Sequence, residues 1–310
     1  MARTVAGALI SDLRSTAAIG LLGVPSNSAG TTDGVARAPA ALREAGLVEA
    51  LRAHREVHDY GDLTLPDPSP ERDDVTLLID PGGLVTLVAH IRDAVASILK
   101  DGGFPLVIGG DCPLLLGCLA ATRKHGRIGV LFVDGHEDAY LPAQSSTGEA
   151  ADMELALALG MVDVSWSPEL AAMLPLVGPA DVRILGARDA GLLDAEGVPS
   201  LRDRLPVMDA AHLATDPAGA TVAACTSLAQ PWWFHLDLDV LSTEALPAVD
   251  YGQDGGMGWE ELGVVAATAL QAGAVGWDVT IYNPDMDPKR THARRIVGFL
   301  ASSVRGIPKR

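Results

Sequence analysis

The chain has 310 residues, of which 48% are hydrophobic, 20% charged and 4% aromatic, a composition that suits a globular protein with one large core. Its 23 Lys and Arg against 40 Asp and Glu leave a formal charge of −17, so nucleic-acid phosphate and anionic membrane surfaces are repelled. Three cysteines, an N-terminus without a basic start and long apolar run, and apolar stretches far short of the ~20 residues that span a bilayer lead us to expect a reduced, cytoplasmic protein.

In chain order, residues 19–24 form an apolar run that predicts a buried strand, and 38–51 carry apolar residues at threes and fours that predict a helix. Residues 67–74, with prolines among charges, read as a surface connection, and 84–99 as a second helix. A strand at 106–108 precedes a helix at 114–121, and a strand at 128–133 precedes a helix at 153–159. Residues 182–185 predict another strand, after which Gly, Pro and Asp break any period over 199–220, read as a second surface connection. Strands at 233–240 and 275–281 flank a helix at 260–270. This alternation predicts an α/β fold with a mainly parallel sheet covered by helices on both faces, because parallel neighbours need crossover connections. No repeat or linker divides the chain, so one domain over 1–310 is expected.

Three of these strands end in groups that bind cations. Residues 105–112 close with a glycine turn and the thiol of Cys112. Residues 128–138 run into Asp134, His136 and Asp138 at alternate positions, which an extended backbone points to one side. Residues 234–241 end an apolar run with Asp237 and Asp239. A single Asp-x-Asp after a strand also reads as a turn or helix cap; three such ends at the carboxyl edge of a parallel sheet read as a site. Oxygen and imidazole donors suit Mn, Mg, Fe, Zn or Co, and water bridging two such ions becomes a nucleophile at neutral pH.

These segments, in this order, resemble the signature motifs of the ureohydrolase superfamily, the arginases and agmatinases. Gly23-Val24-Pro25, the stretch from Gly34 to Leu47, Asp59-Tyr60-Gly61-Asp62, Gly186-Ala187-Arg188-Asp189 and the stretch from Trp277 to Pro284 are similar to further family segments. The resemblance implies a three-layer αβα fold on a central, mainly parallel sheet of about eight strands, and a homo-oligomer, commonly a trimer or hexamer. It implies two divalent metal ions, manganese by resemblance, on Asp134, His136, Asp138, Asp237 and Asp239, with Cys112 where the family usually has a histidine. A metal-bridging hydroxide oriented by Asp138 would then attack an sp² carbon.

Other positions depart from the family. A thiolate is a competent ligand whose softness opens the site to Zn, Fe or Co, and its charge makes the site one unit more negative, so that a cationic small-molecule substrate is better welcomed. Ile281 stands where arginases place a glutamate that grips guanidinium, and Ala151 where they place a proton-relaying histidine. On the same loop, Glu149 and Asp152 are candidates to bind substrate, and Asp152 and Glu154 to act as acid and base; as the acidic first turn of a helix they have an equally simple explanation. Arg188 with Asp189 reads as a substrate contact or an internal ion pair, and His235 as a packed strand residue or a hydrogen-bond partner of a ligand in preference to a ligand itself. The resulting expectation is a metal-dependent hydrolase of C–N bonds in an amidino, guanidino or related amide compound, not a standard L-arginine arginase. Its alternatives are a hydrolase of a non-guanidine amide and a catalytically degenerate protein of the same fold that binds a ligand or partner.

Overall fold

The computed structural model describes residues 18–123 and 126–308; most of the N-terminal segment, on which the expectation of a cytoplasmic protein partly rests, lies outside them. Eight strands, β1 (Ala18–Val24), β2 (Glu56–Asp62), β3 (Phe104–Gly109), β4 (Gly129–Val133), β5 (Val182–Gly186), β6 (Val207–Asp209), β7 (Trp232–Asp237) and β8 (Trp277–Thr280), form one sheet in the order β2-β1-β3-β8-β7-β4-β5-β6. Every pairing is parallel.

Strands β3, β4, β7 and β8 are buried along their whole length, as a sheet covered on both faces requires. Successive side chains divide between two cores. Leu131 and Phe234 join the core under the helices Trp259–Ala272 and Thr291–Ser303, while Phe132 and Trp233 join the core under Pro81–Lys100 and Leu114–Arg123. The period of two in the strands thus produces the three layers.

The structure corrects several expected boundaries. The helix at 38–51 is two helices, Ala38–Glu44 and Leu47–Arg52, broken at Gly46 with φ 93°. Polar β2 lies exposed on the sheet edge, where one-sided burial leaves no apolar run. The span 199–220 contains β6, the helix Ala210–Thr215 and the start of Pro217–Ser227. Its Asp and Pro residues start helices instead of breaking them: Asp209 accepts from His212 N, Asp216 accepts from Gly219 N, and Pro217 opens the second helix. The strand at 233–240 stops at Asp237, whose carboxylate accepts from Asp239 N and starts a tight turn at Leu238–Val240. The helix Pro81–Lys100 is long and apolar enough by composition to cross a membrane, contrary to the count of apolar runs, which His90, Arg92 and Asp93 interrupt. In the fold its stripe of Leu84, Val88, Ile91, Val95 and Ile98 is buried.

Candidate metal centre

Strands β3, β8, β7 and β4 are consecutive neighbours in the sheet, so their carboxyl ends share one rim. Cys112 follows β3, Ile281 follows β8, Asp237 and Asp239 close β7, and Asp134, His136 and Asp138 follow β4. Four segments distant in sequence converge because parallel strands all end on the same edge. Gly110 permits one close approach: a Cβ there would lie 1.8 Å from the Ser26 carbonyl oxygen. Beside it, the buried carboxylate of Asp111 accepts from Ser26 Oγ at 2.9 Å and from Ser28 N. The turn that delivers Cys112 is thereby tied to the end of β1.

Two groups of donors form around Asp134, each with its ligand atoms within 4.8 Å of one another. The outer group is Asp134, His136 and Asp239. His136 Nδ1 lies 2.8 Å from Asp239 Oδ2 and 3.7 Å from Asp134 Oδ1. Backbone amides fix both carboxylates: His136 N donates to Asp134 at 2.6 Å and Gly135 N to Asp239 at 3.0 Å. The inner group is Cys112, Asp134, Glu154 and His235, all buried. Cys112 Sγ donates to Asp237 Oδ2 at 2.8 Å and lies 3.1 Å from Thr280 Oγ1. Asp134 Oδ2, both Glu154 carboxylate oxygens and His235 Nε2 are buried without a hydrogen-bond partner among the described residues. Asp138 and Glu154 lie near enough for each carboxyl to act on the charge of the other.

Electrostatics show what such a cluster lacks. Burial, reinforced by Asp237, Glu154 and Asp134, pushes the Cys112 thiol well up. Burial and carboxylate neighbours likewise raise the carboxyls of Asp138, Glu154 and Asp237. Asp134 alone is held low, because His136 and His235 outweigh its burial. His136 is raised, its burial overcome by Asp239 and Asp134. Without a cation, these groups are tolerated by keeping their protons; divalent cations neutralise the same charges with the protons released. The orphaned donors and the mixture of oxygen, nitrogen and sulfur fit metal ions.

A cavity of about 320 Å³ opens onto the centre. Cys112, His136, Asp138, Asp237 and Asp239 line it, together with Asp152, Asp189, Glu196, Asp250, Tyr251 and Ile281. Asp152 lies in the tight turn Ala150–Asp152 and accepts from Ser145 Oγ at 2.6 Å and from Thr147 Oγ1. Glu149 is outside the cavity lining and accepts from Tyr251, which is part of it, at 2.9 Å. Its carboxyl is raised to about 7, by burial first, against the Tyr251 hydrogen bond and with help from Asp152. Burial raises Asp189 to about 6, with its amide partner Glu137 N and His136 opposing. Ile281 lines the cavity at φ 70° and Asp138 at φ 42°, conformations that non-glycine residues adopt at a cost and that concentrate at functional sites.

Besides Glu149, two expected residues are placed outside the cavity lining. Glu154 opens the short helix Glu154–Ala158 and points its orphaned carboxylate into the inner group, away from the cavity lining. Arg188 is outside the cavity lining too, and its Nη2 donates to the carbonyls of Asp239, Leu241 and Gln253, at 2.7 Å for Asp239. It braces the loop after β7, and Asp189 is not its ion-pair partner. Asp250, Tyr251 and Asp278 were not legible from the motifs. The clue to Asp278 is register: it pairs with His235 across β7 and β8, and no single segment displays that.

A model of the arginase family matches residues 17–304. The arginase of Brevibacillus brevis is 30% identical over 295 residues, spanning 91% of this chain and 96% of that relative. The arginase of Bacillus caldovelox is 27% identical over 295 residues, spanning 92% and 97%. The solved arginase structure from Bacillus cereus matches with a TM-score of 0.79 at 26% identity, covering 94% of this chain and 99% of that one.

Proposed function

This chain belongs to the arginase family and is a hydrolase of carbon–nitrogen bonds other than peptide bonds, and from that premise we propose that it acts on a cationic amidino or guanidino compound other than L-arginine. One observation carries the reading: beyond the metal donors, Asp152, Asp189, Glu196 and Asp250 line the cavity, with no Lys or Arg among its lining residues. Such a surface draws in a positive substrate and repels an anionic one.

Divalent cations, when bound by the two donor groups, supply the Lewis acidity that makes water a nucleophile at neutral pH. The outer group, two carboxylates and an imidazole, suits manganese. Asp138 orients the attacking water through its carboxylate and takes up its proton. Asp152, fixed by Ser145 and Thr147, pairs with the substrate cation. Glu149 adds a second negative charge once the pH passes about 7. Ile281 supplies apolar surface where arginases carry a carboxylate, which leaves the guanidinium of L-arginine without that anchor. Homo-oligomerisation and a cytoplasmic setting belong to the same reading and are supported by family membership.

The test is a substrate panel of cationic amidino and guanidino compounds and neutral amides, followed by urea, ammonia and amine release, with Asp134→Asn as the control. Turnover of a cationic member that is lost in Asp134→Asn is expected. Turnover confined to neutral amides overturns the substrate class, and binding without turnover overturns catalysis.

A further inference from the structure

The inner group has features that the family resemblance does not account for. Glu154 and His235 are outside the ligand set carried over by motif, yet both are wholly buried, and their donor atoms lie with those of Cys112 and Asp134 inside 4.8 Å. Both Glu154 oxygens, His235 Nε2 and Asp134 Oδ2 have no hydrogen-bond partner among the described residues. Asp237, which the motif would make a ligand here, already accepts from Cys112 Sγ and from Asp239 N.

His235 is aimed by the residues around it. Its Nδ1 lies 2.6 Å from Asp278 Oδ2, and the other oxygen of Asp278 accepts from Trp233 Nε1. The ring stacks on Phe132 with centroids 4.6 Å apart. A carboxylate on one imidazole nitrogen fixes the tautomer and turns the other nitrogen into a ligand. That other nitrogen, Nε2, stands 3.7 Å from Asp134 Oδ2. The separation is too long for a hydrogen bond and close to the edge of a tetrahedron whose bonds are about 2.0–2.2 Å.

We propose that Cys112, Asp134, Glu154 and His235 together hold one thiophilic divalent cation, zinc in preference to manganese. A thiolate and an imidazole select zinc, iron or cobalt over manganese, and a closed four-donor set suits zinc most closely. Thiolate plus two carboxylates offset a divalent ion and leave one negative charge, which reinforces the pull of the cavity on cations. The inference rests on the reading above only for the location of the centre; it does not depend on the substrate.

The test uses the purified full chain, stripped of metal and titrated with cobalt(II) under thiol protection. A sulfur-to-cobalt charge-transfer absorption saturating at one equivalent is expected, quenched by stoichiometric zinc and unaffected by the same concentration of manganese. Glu154→Gln and His235→Asn, checked for folding by circular dichroism, should each weaken that cobalt binding at least tenfold. Unchanged binding in both folded variants would overturn the assignment and leave Cys112 with the motif-derived partners. X-ray absorption of the wild-type chain with one equivalent of zinc needs no variant: a shell with one sulfur at about 2.3 Å and an imidazole supports the site, and a shell without sulfur overturns it. An absent band would likewise overturn the assignment. Hydrolysis is assayed separately: loss of the assignment with turnover retained leaves the proposed function standing, and the converse leaves the zinc site standing.

Discussion

His235 and Asp278 face each other across β7 and β8, with Nδ1 2.6 Å from Oδ2 and both side chains wholly buried. Asp278 therefore decides where Nε2 points. Asp278→Asn is expected to destabilise the metal-free chain by about 3–5 kcal/mol, as breaking one side of a buried charged pair does. It should also weaken zinc binding about 10–100-fold. Denaturant midpoints and competition with a chromophoric chelator check both; a change in stability with no change in zinc affinity would separate packing from aiming.

Metal binding should stabilise the fold more at high pH than at low pH. Asp138, Glu154 and Asp237 hold protons in the metal-free fold to higher pH than in the unfolded chain. The folded state thus binds more protons, and its stability falls as pH rises above the ordinary carboxylate range. A divalent ion needs those groups ionised and removes this loss. At a fixed zinc concentration the upshift in melting temperature is expected to be larger at pH 8 than at pH 6, because Kd falls as the ligands lose their protons; where zinc is at a hundredfold excess over Kd the stabilisation is about 2.7 kcal/mol. Equal upshifts would contradict the proton linkage.

Glu149 should make cation binding pH-dependent near neutrality. Its carboxyl titrates at about 7, so it is neutral below and negative above that pH. Affinity for a non-hydrolysable guanidinium ligand is expected to rise from pH 6 to pH 8, and Glu149→Gln should flatten the profile. In the stability profile, Glu149 binds its proton more tightly in the folded state, so its contribution falls between the ordinary glutamate range and about 7. Calorimetric titration at three pH values decides the matter.

Ile281 offers a test of the proposed substrate class. Ile281→Glu places a carboxylate on the cavity at the position where arginases grip guanidinium, and it should strengthen L-arginine binding about tenfold, the worth of one charge-assisted hydrogen bond. KM and urea release measure it. No change in affinity would show that this chain seats its substrate elsewhere in the cavity.

The sequence by itself determined the alternation of strands and helices, the three strand ends and the kinds of donor they carry, because apolar periodicity and motif spacing are local. By resemblance it also pointed to Ile281 and Ala151 as expected departures from the family's pattern. Edge strand β2 and the three-residue β6 escaped, since strands with little burial carry little pattern. Only the tertiary structure decided which donors meet. Glu154 reads along the chain as an acidic helix start, and the fold turns it towards Cys112 and Asp134. His235 reads as one residue of an apolar strand, and it becomes an aimed imidazole only when β8 brings Asp278 alongside. Register between strands and the direction of a helix's first turn depend on packing between distant segments, which no spacing within one segment encodes.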